Sequence, residues 1–193
     1  MSAPWSHWEA FKSRLEPWRK HASFAHLFHV YPALTAAQIA AAEDRAACEI
    51  PESIQRFYRC TNGARLFGAL RIYGSVENEN FTRDPTRGGG QPVDLWAENI
   101  LRPEGSFVFG GASAWSVRVK FAIWPTGAVR MIDANDVTNA LKEWPSFDSF
   151  FWEEFDRLSA LHTPDGDFIG TYADYLPPEA RHLEKQKPAG RPS

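Results

Sequence analysis

The sequence predicts an α+β fold, an antiparallel sheet packed against N-terminal helices and closed by a C-terminal helix. Apolar residues recur at helical spacing up to about residue 60, alternate with mostly polar ones between residues 115 and 124, and return to helical spacing from residue 147. The strongest helix-start signals precede the second helical stretch and the last one. Helical and extended patterns are thus blocked along the chain and do not alternate, which argues against a doubly wound α/β chain.

Trp5, Trp8, Phe11, Leu15 and Trp18 fall at helical spacing and predict an amphipathic helix over residues 4–20. Phe24, Leu27, Phe28 and Tyr31 continue an apolar face until Pro32. Thr35-Ala36-Ala37-Gln38 is a capping box, in which the Thr hydroxyl and the Gln side chain satisfy orphan amides reciprocally. Leu34 and Ile39 occupy the staple positions around it, and the helix runs to about Ala47. Pro51 suits the first turn of a further helix, where its missing amide costs nothing. Ile54, Phe57 and Tyr58 form the buried face of that helix, and Asn62-Gly63 is its predicted stop, since both residues tolerate a left-handed conformation.

The period then changes. Leu70 and Ile72 predict a short strand, and Phe107 to Phe109 another. Trp115, Val117, Val119, Phe121 and Ile123 alternate with Ser116, Arg118, Lys120, Ala122 and Trp124, giving the one apolar face that a sheet lying on helices requires. Pro125-Thr126-Gly127 is a turn, and Ala128 to Ile132 its hairpin partner. Ser146 caps a closing helix whose Phe147, Phe150, Phe151, Phe155 and Leu158 make an aromatic core stripe. Residues 82–92, with three consecutive glycines, read as a flexible insertion. Residues 163–184 read as irregular chain docked through Phe168, Tyr172, Tyr175 and Leu176, and residues 185–193 as a disordered tail. The expected organisation is one domain over residues 1–184.

The length of 193 residues suffices for a core without staples. Two cysteines exclude a disulfide scaffold and a four-cysteine zinc site. There is neither an uninterrupted apolar run of membrane-spanning length nor an apolar signal core, so the expected compartment is the cytoplasm, with no membrane partner. Residues 133–184 hold 12 acidic and 3 basic side chains. The only dense charge is acidic, which argues against nucleic-acid binding and suits a basic protein partner; a solvated helix face with an acidic loop has the same signature.

Catalytic and metal-binding patterns are weak. His26 and His29 are three residues apart but lack a third ligand of definite spacing. No histidine lies close in sequence to Cys48 or Cys60, so both read as structural thiols. Asp133, Asp136 and Glu143 follow a strand, where paired acids work in some enzymes, but a solvated loop explains them as well. Asp165-Gly166-Asp167 matches only the start of a calcium loop, and Gly88-Gly89-Gly90 lacks the Lys and Ser or Thr of a phosphate loop. No catalytic residue, metal or cofactor is expected.

In order along the chain, Leu34-Thr35, Gln38-Ile39, Glu43, Ile50-Pro51, Phe57, Asn62-Gly63 and Leu70-Ile72-Tyr73 resemble the opening of the SUKH superfamily, which includes the Smi/Knr cell-wall regulators of fungi. Phe107-Val108-Phe109-Gly110 and Ser146-Phe147-Asp148-Ser149-Phe150 fit its later strand and last helix, so the resemblance covers about residues 33–158. One departure is Gly110-Gly111-Ala112-Ser113-Ala114, which lacks the acid that many relatives carry after the glycine. The resemblance implies an α+β domain in which Glu43, Pro51, Asn62, Gly63 and Gly110 are fold determinants. Glu43 is expected to be a partly buried acceptor. Bacterial members resemble immunity proteins that neutralise a cognate polymorphic toxin, often a nuclease, by direct binding; fungal members act as signalling scaffolds. The expected partner is thus a toxin domain with a basic surface, met by Asp133, Asp136, Glu143, Glu153, Glu154 and Asp156. The alternative is a regulatory scaffold or adaptor that docks through the Trp-rich N-terminal helix.

Overall fold

The computed structural model describes residues 4–21, 27–75, 102–114 and 117–186. Phe24, His26, the 82–92 insertion, Trp115, Ser116 and the chain after residue 186 lie outside the described residues. Helix α1 spans Trp8–Leu15 and is followed by a 3-10 turn at Trp18–Lys20, strand β1 (Phe28–Val30), α2 (Ala36–Ala46) and α3 (Glu52–Tyr58). Strands β2 (Ala64–Leu66), β3 (Leu70–Ile72), β4 (Phe107–Ala114), β5 (Val117–Ile123), β6 (Val129–Asp133) and β7 (Ala140–Trp144) come next. Helix α4 (Phe147–Ser159) and 3-10 segments at Tyr172–Tyr175 and Pro178–Gln186 close the chain. The strands form one seven-stranded antiparallel sheet in sequence order, so the α+β expectation holds.

Directly opposed residues share a face of a sheet. Phe107, Gly110 and Ala112 of β4 therefore lie on one face with Ile123, Phe121 and Val119 of β5, Val129 and Met131 of β6, and Trp144 of β7. The aromatic stripe of α4 packs here, with Phe150 centred 4.6 Å from Phe121 and 5.2 Å from Trp144. A bulge between Val108 and Gly110 leaves Phe109 unpaired, and its ring meets Phe147 at 5.4 Å and Phe150 at 5.3 Å. Gly110 permits close pairing with β3, since a Cβ there would lie 2.7 Å from the Arg71 carbonyl oxygen. The other face carries a cross-strand row of His29, Arg65, Arg71, Gly111 and Lys120.

The capping box forms as expected: the Thr35 amide donates to Gln38 Oε1 at 2.9 Å, and the Gln38 amide to Thr35 Oγ1 at 3.3 Å. Ser146 Oγ accepts the Ser149 amide at 3.1 Å and caps α4. Four expectations need correction. The first helix is shorter than residues 4–20, because Pro17 has no amide to continue the ladder and nucleates a 3-10 turn instead. Phe28 to Val30 is an edge strand paired with β2, not part of a helical face. Pro51 is extended (φ −54°, ψ 142°) and precedes the first helical residue, Glu52. Finally, α3 stops at Tyr58, well before Asn62-Gly63.

Asn62 does something else. It is fully buried, and its side chain accepts the Ser75 amide and donates to the Ser75 carbonyl, both at 2.7 Å. Gly63 is left-handed (φ +82°), and a Cβ there would meet Ile72 O at 2.6 Å. The N-terminal tryptophans turn inward. Trp5 is only 4% exposed, its ring lies 4.7 Å from Phe151, and its indole donates to Asp148 at 2.6 Å. Trp8 and Trp18 are half-buried against the core. Among the residues expected to dock the C-terminal segment, Leu176 is buried and Phe168 stacks on Tyr175 at 4.6 Å, whereas Tyr172 is 49% exposed.

Candidate functional site

The acidic segment is mostly paired within the fold. Glu143 pairs with Arg130 across β6 and β7, and Asp156 with Arg14 of α1. Glu153 accepts from Lys142 at 2.6 Å and from the Trp144 indole at 2.9 Å. Lys142 also meets Glu179 at 2.9 Å. Partial burial pulls the Lys142 ammonium down, but Glu153 and Glu179 together outweigh it and hold the group above its ordinary value. Glu154 is wholly buried against Arg157 at 2.8 Å, so it presents no charge at the surface.

Asp133 and Asp136 differ from the other four. Asp133 ends β6 and Asp136 lies in the connection to β7, and their side-chain bonds are local. Asp133 Oδ1 accepts the Asn135 amide at 2.9 Å, an Asx turn. Asp136 Oδ1 accepts the Thr138 hydroxyl at 2.6 Å and amide at 3.1 Å, which holds its carboxyl below the usual carboxylate range. Neither has a cationic partner among the described residues.

A cleft of about 620 Å³ opens at the other end of the strands. Its walls come from three stretches: the turn between α2 and α3, the approach to β4, and the β5–β6 hairpin. Ala47 is left-handed (φ 47°, ψ 38°) and ends α2, after which the Cys48 amide donates to the Glu43 carbonyl at 3.3 Å. The Glu43 carboxylate then accepts the Ile50 amide at 2.9 Å and the Gln55 side chain at 3.0 Å. This locks the turn that presents Cys48 and Glu49 to the cleft. On the hairpin side, Trp124 carries the Arg130 guanidinium 4.8 Å from its ring centroid.

The cleft was not legible from spacing, because its residues are brought together only by the sheet. One available signal was Trp124, a bulky aromatic on the polar face of an alternating strand. Burial pushes the Cys48 thiol up, with Arg102 opposing and Glu43 adding to the effect, so a reactive thiolate is disfavoured. Cys60 is pushed up by burial as well. His29 lies on β1, not on a helix. Among the described residues, no group of three or more His, Cys, Asp or Glu is placed to hold a metal ion, and no helix is long and apolar enough to cross a membrane.

Two short helices joined by a carboxylate-locked turn, an antiparallel meander and a closing aromatic helix define a particular class of α+β domain. The chain belongs to the SMI1/KNR4 family (SUKH-1), whose family model matches residues 33–153. The matched stretch runs from the residues before the capping box into the first half of α4, and leaves out α1, β1 and the C-terminal 3-10 segments. No curated protein matches the chain.

Proposed function

We propose that this protein is a non-catalytic binding domain of immunity type, which neutralises a cognate toxin by covering its working surface. Family membership over residues 33–153 is the observation that carries this reading. Asp133 and Asp136 are the proposed first contacts with a basic toxin domain, because they have no cationic partner among the described residues where the rest of the predicted set is paired or buried. A nuclease toxin needs a basic surface for the phosphate backbone, so an acidic contact suits that class of target. The proposed setting is the cytoplasm. The scaffold reading through the N-terminal helix draws less support, since Trp5 is 4% exposed and Trp8 and Trp18 are half-buried against the core.

The test is recovery of partners on immobilised protein from a lysate of the source organism, at low and moderate salt. A basic domain released by salt, and inhibited stoichiometrically in its own toxic activity, is the expected result. The Asp133→Lys/Asp136→Lys variant should then associate roughly tenfold more slowly and with a different salt dependence. A captured partner with no toxic activity overturns the immunity reading, and unchanged association kinetics removes these two acids from the contact.

A further inference from the structure

The cleft beside the α2–α3 turn has no role in the reading above. We propose that it is a pocket for a cationic side chain, an arginine, projected by the protein partner. This inference rests on the reading of the chain as a protein-binding domain and specifies how a partner is held.

Three features point to arginine. The first is rigidity. One wall is held by the Glu43 carboxylate through Ile50 and Gln55, and the other by a hairpin closed by bonds of 2.9 Å between Trp124 and Ala128 and between Gly127 and Trp124. Walls of this kind need no ordering when a ligand arrives, which is where much binding energy is otherwise lost.

The second feature is charge. Glu49 and Glu52 line the cleft against one cation, Arg102. Among the described residues Glu52 is engaged by Arg56 alone, at 2.9 Å, an exposed pair one helical turn apart, and such pairs exchange readily for a better one.

The third feature is the apolar lining. Pro51, Ile123, Trp124 and Pro125 suit the methylene stem of a long side chain whose head reaches the carboxylates. Trp124 already serves as a platform for one guanidinium, that of Arg130. A planar, forked cation that stacks on aromatic rings and binds carboxylates in two-pronged fashion fits this lining better than an ammonium. Arginine anchors seated in pockets are also recurrent hot spots of protein interfaces.

The cleft and the Asp133–Asp136 connection lie at opposite ends of β6, four residue steps or roughly 13 Å apart. They are therefore separable by mutation. The test is a titration of the full chain, labelled with nitrogen-15, with acetyl-Gly-Arg-Gly-amide, followed by NMR. Matched peptides with citrulline or glutamate in place of arginine serve as controls.

The expected result is a saturable shift of the Glu49 and Gly127 amides and of the Trp124 indole at millimolar peptide. The citrulline peptide should bind roughly tenfold more weakly, and Glu49→Gln/Glu52→Gln should show a similar loss while signals elsewhere confirm an intact fold. An equal response to citrulline overturns the proposal, as does no response at all. A stronger response to the glutamate peptide also overturns it and makes Arg102 the recognition group. The titration needs no toxin, so failure of the immunity reading leaves its outcome unaffected, and its own failure leaves the neutralisation assay standing.

Discussion

At the scale of single residues, Glu43 shows how one carboxylate shapes a fold. It sits one turn after Ile39 on α2 and reaches past the helix end to the Ile50 amide and the Gln55 side chain. Gln55 in turn donates to the Ile50 carbonyl at 2.9 Å, so both polar groups of the Ile50 backbone are satisfied through this pair. Glu43→Ala should remove a charge-assisted acceptor and cost about 2 kcal/mol. Glu43→Gln keeps an acceptor oxygen and should cost about half of that. Urea denaturation checks both, with the midpoint moving and the slope unchanged; equal stability of all three proteins would mean that the turn holds itself. Acceptance by Glu43 was an expectation from its position on the helix, whereas the clamp of Asn62 on Ser75 was not. Asn beside Gly looks like a turn signal in sequence, and its buried bonding depends on a partner 13 residues away.

At the scale of elements, legibility followed length and caps. The capped helices and the seven-residue β5 were readable because their signals are local. Strands β1, β2 and β3 are three residues each, too short for a period to stand out, and only β3 was predicted. Strand β7 is an edge with Lys142 and Glu143 in its middle, the composition that protects edges from further pairing and hides them from a hydrophobicity pattern. Glu154 of α4, expected at the surface, is buried, and the reason is related: composition counts charges without their partners. Glu154 and Arg157 together form the lock between α4 and the C-terminal segment, with Arg157 donating to the carbonyls of Asp174 at 2.7 Å and Tyr175 at 3.1 Å. Arg157→Ala would leave Glu154 charged and buried without its partner and should cost about 3–5 kcal/mol. Replacing both residues by leucine should recover part of that loss. Limited proteolysis locates the effect, with new cleavage expected between residues 163 and 176 in Arg157→Ala; protection equal to the wild type there would show that the segment is held by its apolar contacts alone.

At the scale of the whole molecule, the core runs continuously from Trp5 to Ala180, so parts of the chain outside the family match are built into the same interior. His162 lies where the N-terminal and C-terminal stretches meet the matched part at Phe67. Its ring is 6.2 Å from Trp18, 5.1 Å from Phe67, 5.4 Å from Phe168 and 6.3 Å from Tyr175. It is 6% exposed, Nδ1 lies 3.0 Å from the Leu158 carbonyl, and Nε2 is buried without a partner among the described residues. The bond to a carbonyl makes Nδ1 the protonated nitrogen and leaves Nε2 as a bare acceptor. Burial lowers the pKa of His162 below its ordinary value, with the Leu158 bond opposing. Asp165 and His21 lie 3.8 Å from each other, with Asp165 solvent-facing and His21 half-buried. The unfolded chain therefore binds a proton near pH 6.5 while the folded one does not, and stability falls as pH drops below that point. The loss is at most about 1.4 kcal/mol per pH unit, and it ends below the folded pKa. Asp136, Asp174 and Glu179, whose carboxyls are held low, add their own losses only at more acid pH, as they approach the ordinary carboxylate range. Thermal unfolding between pH 7.5 and 5.5 should show a decline in the wild type that His162→Phe lacks, since phenylalanine fills the same aromatic nest without a titrating nitrogen. A decline of equal size in the variant would move the acid sensitivity to other histidines and reduce His162 to a packing residue.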